Sequence, residues 1–204
     1  MWDANARTRF LEFSKDHKYG DLYHVAIQTG MRREELAGLC WENVDLNDRR
    51  VSIVRTLQRI KGQALMVGQP KTNRSKRPIK LSPEAVKLFH EIRGKQLAQQ
   101  SMYAEVWNST GYVFTQPDGL PIDPDLLSKA FLKLIKASGL PHMTLHGLRH
   151  IHATLLLEAG VHQKIVAERL GHANVATTMD VYSHVLPDLQ DVAALAIDAK
   201  LYGK

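Results

Sequence analysis

Thr29-Gly30-Met31-Arg32-Arg33-Glu34-Glu35-Leu36 ends one helical pattern and begins another. Between Asp21 and Leu39 the apolar residues Leu22, Val25, Ala26, Leu36 and Leu39 recur at helical spacing, and Thr29-Gly30 interrupts them as a helix end and turn. Two helices are therefore expected to meet near Gly30. Arg32 follows the turn at a helix start, where an anion meets free backbone amides and a favourable dipole. Glu35, three residues on, shares the face of Arg32 and can orient its guanidinium. A surface ion pair is the plainer reading of this segment taken alone.

Beyond this turn, Val51-Ser52-Ile53-Val54-Arg55 alternates and is β-branched, Ala64-Leu65-Met66-Val67 is a short apolar run, and Arg77-Pro78-Ile79-Lys80-Leu81 can pair beside it. These predict a small antiparallel sheet of about three strands. Ser82-Pro83-Glu84 reads as a helix start whose apolar face includes Val86, Leu88, Phe89 and Ile92 and which fades around Gln99-Gln100. Asp123-Pro124 opens a helix through Phe131, Leu134 and Ile135, closed by Gly139 and Pro141. Thr144 caps a helix through Leu148, Leu155 and Leu156 to Gly160. Short helical stretches follow around Ile165–Leu170 and Val175–Tyr182, and Pro187-Asp188 begins a last amphipathic one. The expected fold is α+β and predominantly helical, in one domain spanning residues 1–204.

A chain of 204 residues can bury a substantial core unaided, and 44% hydrophobic with 24% charged residues is ordinary for a globular domain. The sequence has no apolar run of membrane-spanning length, and its first residues lack the layout of a secretory signal. Cys40 is the single cysteine, set between Leu39 and Trp41, so an internal disulfide is excluded and the thiol reads as a small core residue. A cytoplasmic setting is the simplest expectation. Lysine and arginine number 27 against 21 acidic residues, a net charge of +6 that points to a polyanionic partner.

Three further segments carry candidate chemistry. Pro70-Lys71-Thr72-Asn73-Arg74-Ser75-Lys76-Arg77 is a basic turn between strand-like runs, suited either to solvation or to a nucleic-acid backbone. In Leu145-His146-Gly147-Leu148-Arg149-His150, His146 and Arg149 share a helical face. Arginine offers a bidentate fork for phosphate oxygens and histidine exchanges a proton near neutral pH. His146 and His150, four apart, also have zinc-ligand spacing, but no helix-borne glutamate or nearby cysteine completes a set, so no metal is assigned. Finally, Leu170-Gly171-His172 lies ten residues before Tyr182, which in isolation reads as packing.

Together these segments resemble the tyrosine recombinases, whose catalytic domains carry an arginine in a TG-x-R turn, a hairpin lysine, H-x-x-R, a later histidine or tryptophan, and a tyrosine. Thr29-Gly30-Met31-Arg32, Lys71, His146 with Arg149, Leu170-Gly171-His172 and Tyr182 follow that order, and Glu35 takes the acidic position beside the first arginine. The resemblance covers roughly residues 20–184.

The resemblance implies that Tyr182 attacks a DNA phosphodiester, giving a 3′-phosphotyrosyl bond and a free 5′-hydroxyl that later rejoins strands. Arg32 and Arg149 would hold the non-bridging oxygens, His172 would add a hydrogen bond, Lys71 would protonate the leaving oxygen and His146 would take the tyrosine proton. Arg74 or Lys76 could reach the site in place of Lys71, and Arg74, Lys76 and Arg77 are expected to contact DNA. The implied reaction uses neither metal nor ATP, and no cofactor is expected. Implied partners are double-stranded attachment sites, phage or transposon, with a homo-tetramer assembled on DNA and a nucleoid-associated location.

Family members usually carry an amino-terminal core-binding domain, and some add an arm-binding domain. Both are expected to be absent from this chain, which makes weak, salt-dependent DNA binding the expectation. The helix expected over Pro187–Leu201 can pack on its own domain or on a neighbouring subunit. The rival readings are a non-catalytic DNA-binding regulator of the same fold and a type IB topoisomerase.

Overall fold

The computed structural model describes residues 2–60, 62–69, 75–172 and 189–203. In chain order these form α1 (Ala4–Ser14), α2 (Gly20–Thr29), α3 (Arg33–Ala37), a 3-10 turn (Trp41–Asn43), β1 (Val44–Asp45), β2 (Arg50–Ile53), β3 (Thr56–Arg59), β4 (Leu65–Gly68), β5 (Arg77–Lys80), α4 (Pro83–Met102), α5 (Pro124–Ser138), α6 (Leu145–Glu158), α7 (Gln163–Leu170) and α8 (Leu189–Tyr202). The α+β, mainly helical architecture is the one expected. Among the described residues no helix is long and apolar enough to cross a membrane.

Local chemistry sets the helix starts. The side chains of Ser82, Asp123 and Thr144 each accept a hydrogen bond from a first-turn amide, at Ala85, Asp125 and Gly147. Pro83 and Pro124 sit at the first helical positions, where the missing N–H costs nothing. α2, α5 and α7 all end on a left-handed glycine, Gly30, Gly139 and Gly171. α1 has no counterpart in the sequence reading. It is capped by Asp3 and buries Ala6 and Phe10, but Leu11 and Phe13 face solvent, which blurs the apolar period.

The sheet departs from expectation in detail. β2 pairs antiparallel with β5, Val51 opposite Ile79 and Ile53 opposite Arg77, as the alternating runs suggest. The third strand of that sheet is the two-residue β1, paired with β2. β4 instead pairs with β3, Leu57 opposite Val67, as a separate two-stranded ribbon. The exposed Met66 and Val67 show that its apolar run serves that ribbon and is not a buried central strand.

The core centres on aromatic contacts between α1, α2 and α5. The Phe131 ring lies 5.0 Å from Tyr23 and 5.8 Å from Phe10, both edge-on. α2 packs against α6. A smaller cluster of Ala153, Leu157, Val166 and Leu170 docks α7 onto α6. This brings the C-terminal ends of α2 and α7 together beside the N-terminus of α3 and the start of β5.

Candidate active site

Gly30 makes the closest approach in this junction. Its φ is +67°, and a Cβ there would stand 2.6 Å from His152 Cδ2 and 2.7 Å from Leu170 Cδ2, so only glycine fits. Freed to face inward, the Gly30 carbonyl accepts from Arg149 Nη1 at 2.7 Å, and Arg149 Nη2 donates to the Leu170 carbonyl at 2.6 Å. Arg149 is 4% exposed, so its guanidinium bridges the carbonyl ends of α2 and α7 in the interior. Those ends carry partial negative charge that offsets the buried cation. Burial and then the charge of Arg32 push its pKa down to about 9, which leaves it charged at neutral pH.

Arg32 precedes α3 and is more open, its side chain about one-third exposed. It donates Nη1 to Glu35 Oε1 at 2.9 Å and Nη2 to the Gly171 carbonyl at 3.1 Å. Glu35 closes the turn by accepting the Arg32 backbone N–H on Oε2 at 2.8 Å. The carboxylate is buried and also accepts both Arg77 Nη groups, at 2.9 and 3.0 Å. Burial opposes its ionisation, but the hydrogen bonds and charge of Arg77, then of Arg32, outweigh it and hold Glu35 below the usual carboxylate range.

The histidines border the arginines. His146 is exposed in the first turn of α6, its ring 5.0 Å from that of His150 and edge-on to it. No group of three or more potential metal ligands forms among the described residues. Partial desolvation of this ring among its neighbours, then the charges of His150, Arg149 and Arg32, lower the His146 pKa, so the ring is neutral at neutral pH and able to accept a proton. His172, whose backbone N–H donates to the Ala167 carbonyl at 3.0 Å, has its ring pKa pushed down to about 4 by burial and then by Arg149, Arg32, Arg77 and His150. Both rings thus feel both arginines, and Arg32, Glu35, His146, Arg149 and His172 form one cluster. Lys71, Arg74 and Tyr182 lie outside the described residues.

The phage integrase family model matches residues 4–188 of this cluster-bearing chain. The chain belongs to the phage integrase family. It is 32% identical over 187 residues to a tyrosine recombinase XerC-like protein of Caldanaerobacter subterraneus subsp. tengcongensis, a match covering 86% of this chain and 48% of that protein. It is also 32% identical over 179 residues to the ICEBs1 integrase of Bacillus subtilis, covering 86% and 47%. The chain therefore spans about half the length of the curated relatives it matches. The solved Tn1549 transposon integrase in complex with circular intermediate DNA superimposes with a TM-score of 0.83 at 23% identity, over 96% of this chain and 66% of that one. XerA recombinase does so with a TM-score of 0.66 at 22% identity, over 98% and 64%. These structures share the fold.

Within this phage integrase domain one expectation is corrected. Arg77, read as a DNA contact, points inward: alternation along β5 buries Arg77 and Ile79 and exposes Pro78 and Lys80. Its side chain is 5% exposed and spent on Glu35, with Nε donating to the Arg169 carbonyl at 2.6 Å. Lys76 is exposed. Arg169 and His152 carry no role in the sequence reading. Two signals point to them: His152 stands three residues from Arg149 on α6, and Arg169 directly precedes Leu170-Gly171-His172.

Proposed function

We propose that this chain is the catalytic domain of a site-specific DNA recombinase that cleaves and rejoins double-stranded DNA with Tyr182 as nucleophile. The Tyr182 Oη attacks phosphorus and the bond to the 5′-oxygen breaks. The phenolic proton passes to His146, which is neutral at working pH, and Lys71 protonates the departing 5′-oxygen. The product is a 3′-phosphotyrosyl bond with a free 5′-hydroxyl. Attack by that hydroxyl reverses each transfer, so bond energy is conserved and no nucleotide is consumed.

The observation that carries this reading is the pairing of Arg32 and Arg149 against the carbonyl ends of α2 and α7. Two cations held in fixed geometry, with neutral His172 beside them, suit the charge that develops on the non-bridging oxygens of a pentavalent phosphorus. Lys76 and Arg74 supply backbone contacts to DNA. In the assembled protein, double-stranded attachment sites, a homo-tetramer on DNA and a nucleoid-associated location complete the proposal. Support comes from relatives described as integrases and transposases and from the DNA complex of the Tn1549 integrase.

The test is incubation of the chain with nicked suicide DNA bearing a candidate attachment site, followed by a denaturing gel. A protein–DNA adduct that Tyr182→Phe cannot form supports the reading. A DNA complex without adduct, persisting with the full-length protein on its cognate site, would assign the chain to non-catalytic binding.

A further inference from the structure

Three successive backbone carbonyls at the end of α7 each receive an arginine: that of Arg169 from Arg77, that of Leu170 from Arg149, and that of Gly171 from Arg32. This turn is therefore the template on which the guanidinium groups are aligned. Its own position is fixed by the Arg169 side chain. Nη1 donates to the Lys80 carbonyl on β5 at 2.9 Å, Nη2 to the Gln28 carbonyl on α2 at 3.4 Å, and Nε to His152 Nε2 at 3.0 Å. The opposite ring nitrogen of His152, Nδ1, lies 2.9 Å from the Ile27 carbonyl and must carry the proton there, which leaves Nε2 as an acceptor for Arg169. Burial, then Arg169, lower the His152 pKa to about 4, so the acceptor form persists at neutral pH.

We propose that Arg169 and His152 form a latch that positions the residue 169–171 turn, and through it Arg149 and Arg32, for phosphoryl transfer. The inference rests on the recombinase reading. Neither side chain touches the reacting atoms, so both are positioning residues. Lysine at 169 keeps the charge but has no planar fork to span α2, β5 and α6. Glutamine at 152 places an acceptor near the Nε2 position, whereas asparagine ends near Nδ1 and can satisfy Ile27 alone.

The experiment uses the 204-residue chain with Arg169→Lys, His152→Gln, His152→Asn and the exposed control Lys133→Gln. The Arg149 Nε–H resonance, assigned by its loss in Arg149→Lys, should shift in Arg169→Lys and His152→Asn and stay in place in the control. Under single-turnover conditions with saturating nicked DNA, the cleavage rate should fall roughly ten- to a hundredfold in Arg169→Lys, the scale expected of small misplacements. The half-saturating DNA concentration should not change, and His152→Gln should lose less rate than His152→Asn. An unmoved Arg149 resonance overturns the latch whatever the cleavage assay gives. So does a wild-type cleavage rate in Arg169→Lys, or a loss seen in DNA affinity alone. Absence of any adduct with the wild-type chain, beside a shifted resonance, counts against the recombinase reading and leaves the alignment of the arginines standing.

Discussion

Replacing Glu35 by glutamine nearly preserves its shape and removes its charge. Four N–H donors converge on this carboxylate: Nη1 and Nη2 of Arg77, Nη1 of Arg32 and the Arg32 backbone amide. A glutamine oxygen accepts two of them, and its amide N–H₂ then confronts a guanidinium. Arg77 is 7% exposed and cannot turn to water, so the cost is that of a broken buried pair, about 3–5 kcal/mol. The Arg32 share is small, because that side chain is one-third exposed and water screens it. For a domain of this size each kcal/mol moves Tm by about 2–4 °C, which predicts a fall of roughly 6–20 °C.

Thermal and urea unfolding followed by circular dichroism at pH 7 measure this. The pH dependence supplies a second check. Because folding lowers the Glu35 pKa, its stabilisation is complete above the unfolded value of 4.5 and is lost as pH falls through the folded value. The gap between wild type and Glu35→Gln should therefore narrow under acid conditions. A variant within about 1 kcal/mol of wild type at pH 7 would refute the account of Glu35 as the hub of the arginine cluster, since a broken buried pair costs several times that.

Arg149→Lys keeps the charge but cannot bond the Gly30 and Leu170 carbonyls together, and single-turnover cleavage should slow by roughly 10²–10³-fold with DNA affinity little changed. Gly30→Ala combines a positive φ with contacts under 3 Å, whereas Gly160→Ala has a positive φ and open space. Urea unfolding should therefore show the backbone cost of about 1–2 kcal/mol at Gly160 and a clearly larger loss at Gly30. His152 has its pKa lowered on folding, so the unfolded chain binds the extra proton and stability drops as pH falls from 6.5 toward about 4. The loss amounts to about 3 kcal/mol at the low end, at about 1.4 kcal/mol per pH unit. His152→Gln, with no proton to gain, should show a flatter urea midpoint between those pH values, and equal slopes would sink the argument.

What the sequence makes legible here is whatever is local. Ser82-Pro83, Asp123-Pro124 and Thr144 announce helix starts because caps act within one turn. Arg32 with Glu35, and His146 with Arg149, could be paired because three residues separate each couple on one helical face. β1 was invisible because two residues carry no period, and the pairing of β4 with β3 was missed because an apolar run does not name its partner. Arg77 misled for a related reason. A basic residue beside a basic turn reads as solvated, and its burial depends on Glu35, 42 positions away. The Arg169–His152 contact joins α7 to α6, and the bonds that give it meaning run to backbone carbonyls on α2 and β5, which carry no residue-type signature.

The most direct test of the central claim is mass spectrometry of the trapped adduct after nuclease and trypsin digestion. Cleavage after Arg169 and Lys200 releases Leu170–Lys200, in which Tyr182 is the single tyrosine. The account predicts a nucleotide attached through its 3′-phosphate to Tyr182, formed at equal yield with EDTA present. A nucleotide on another residue, or an adduct that survives Tyr182→Phe, would contradict it.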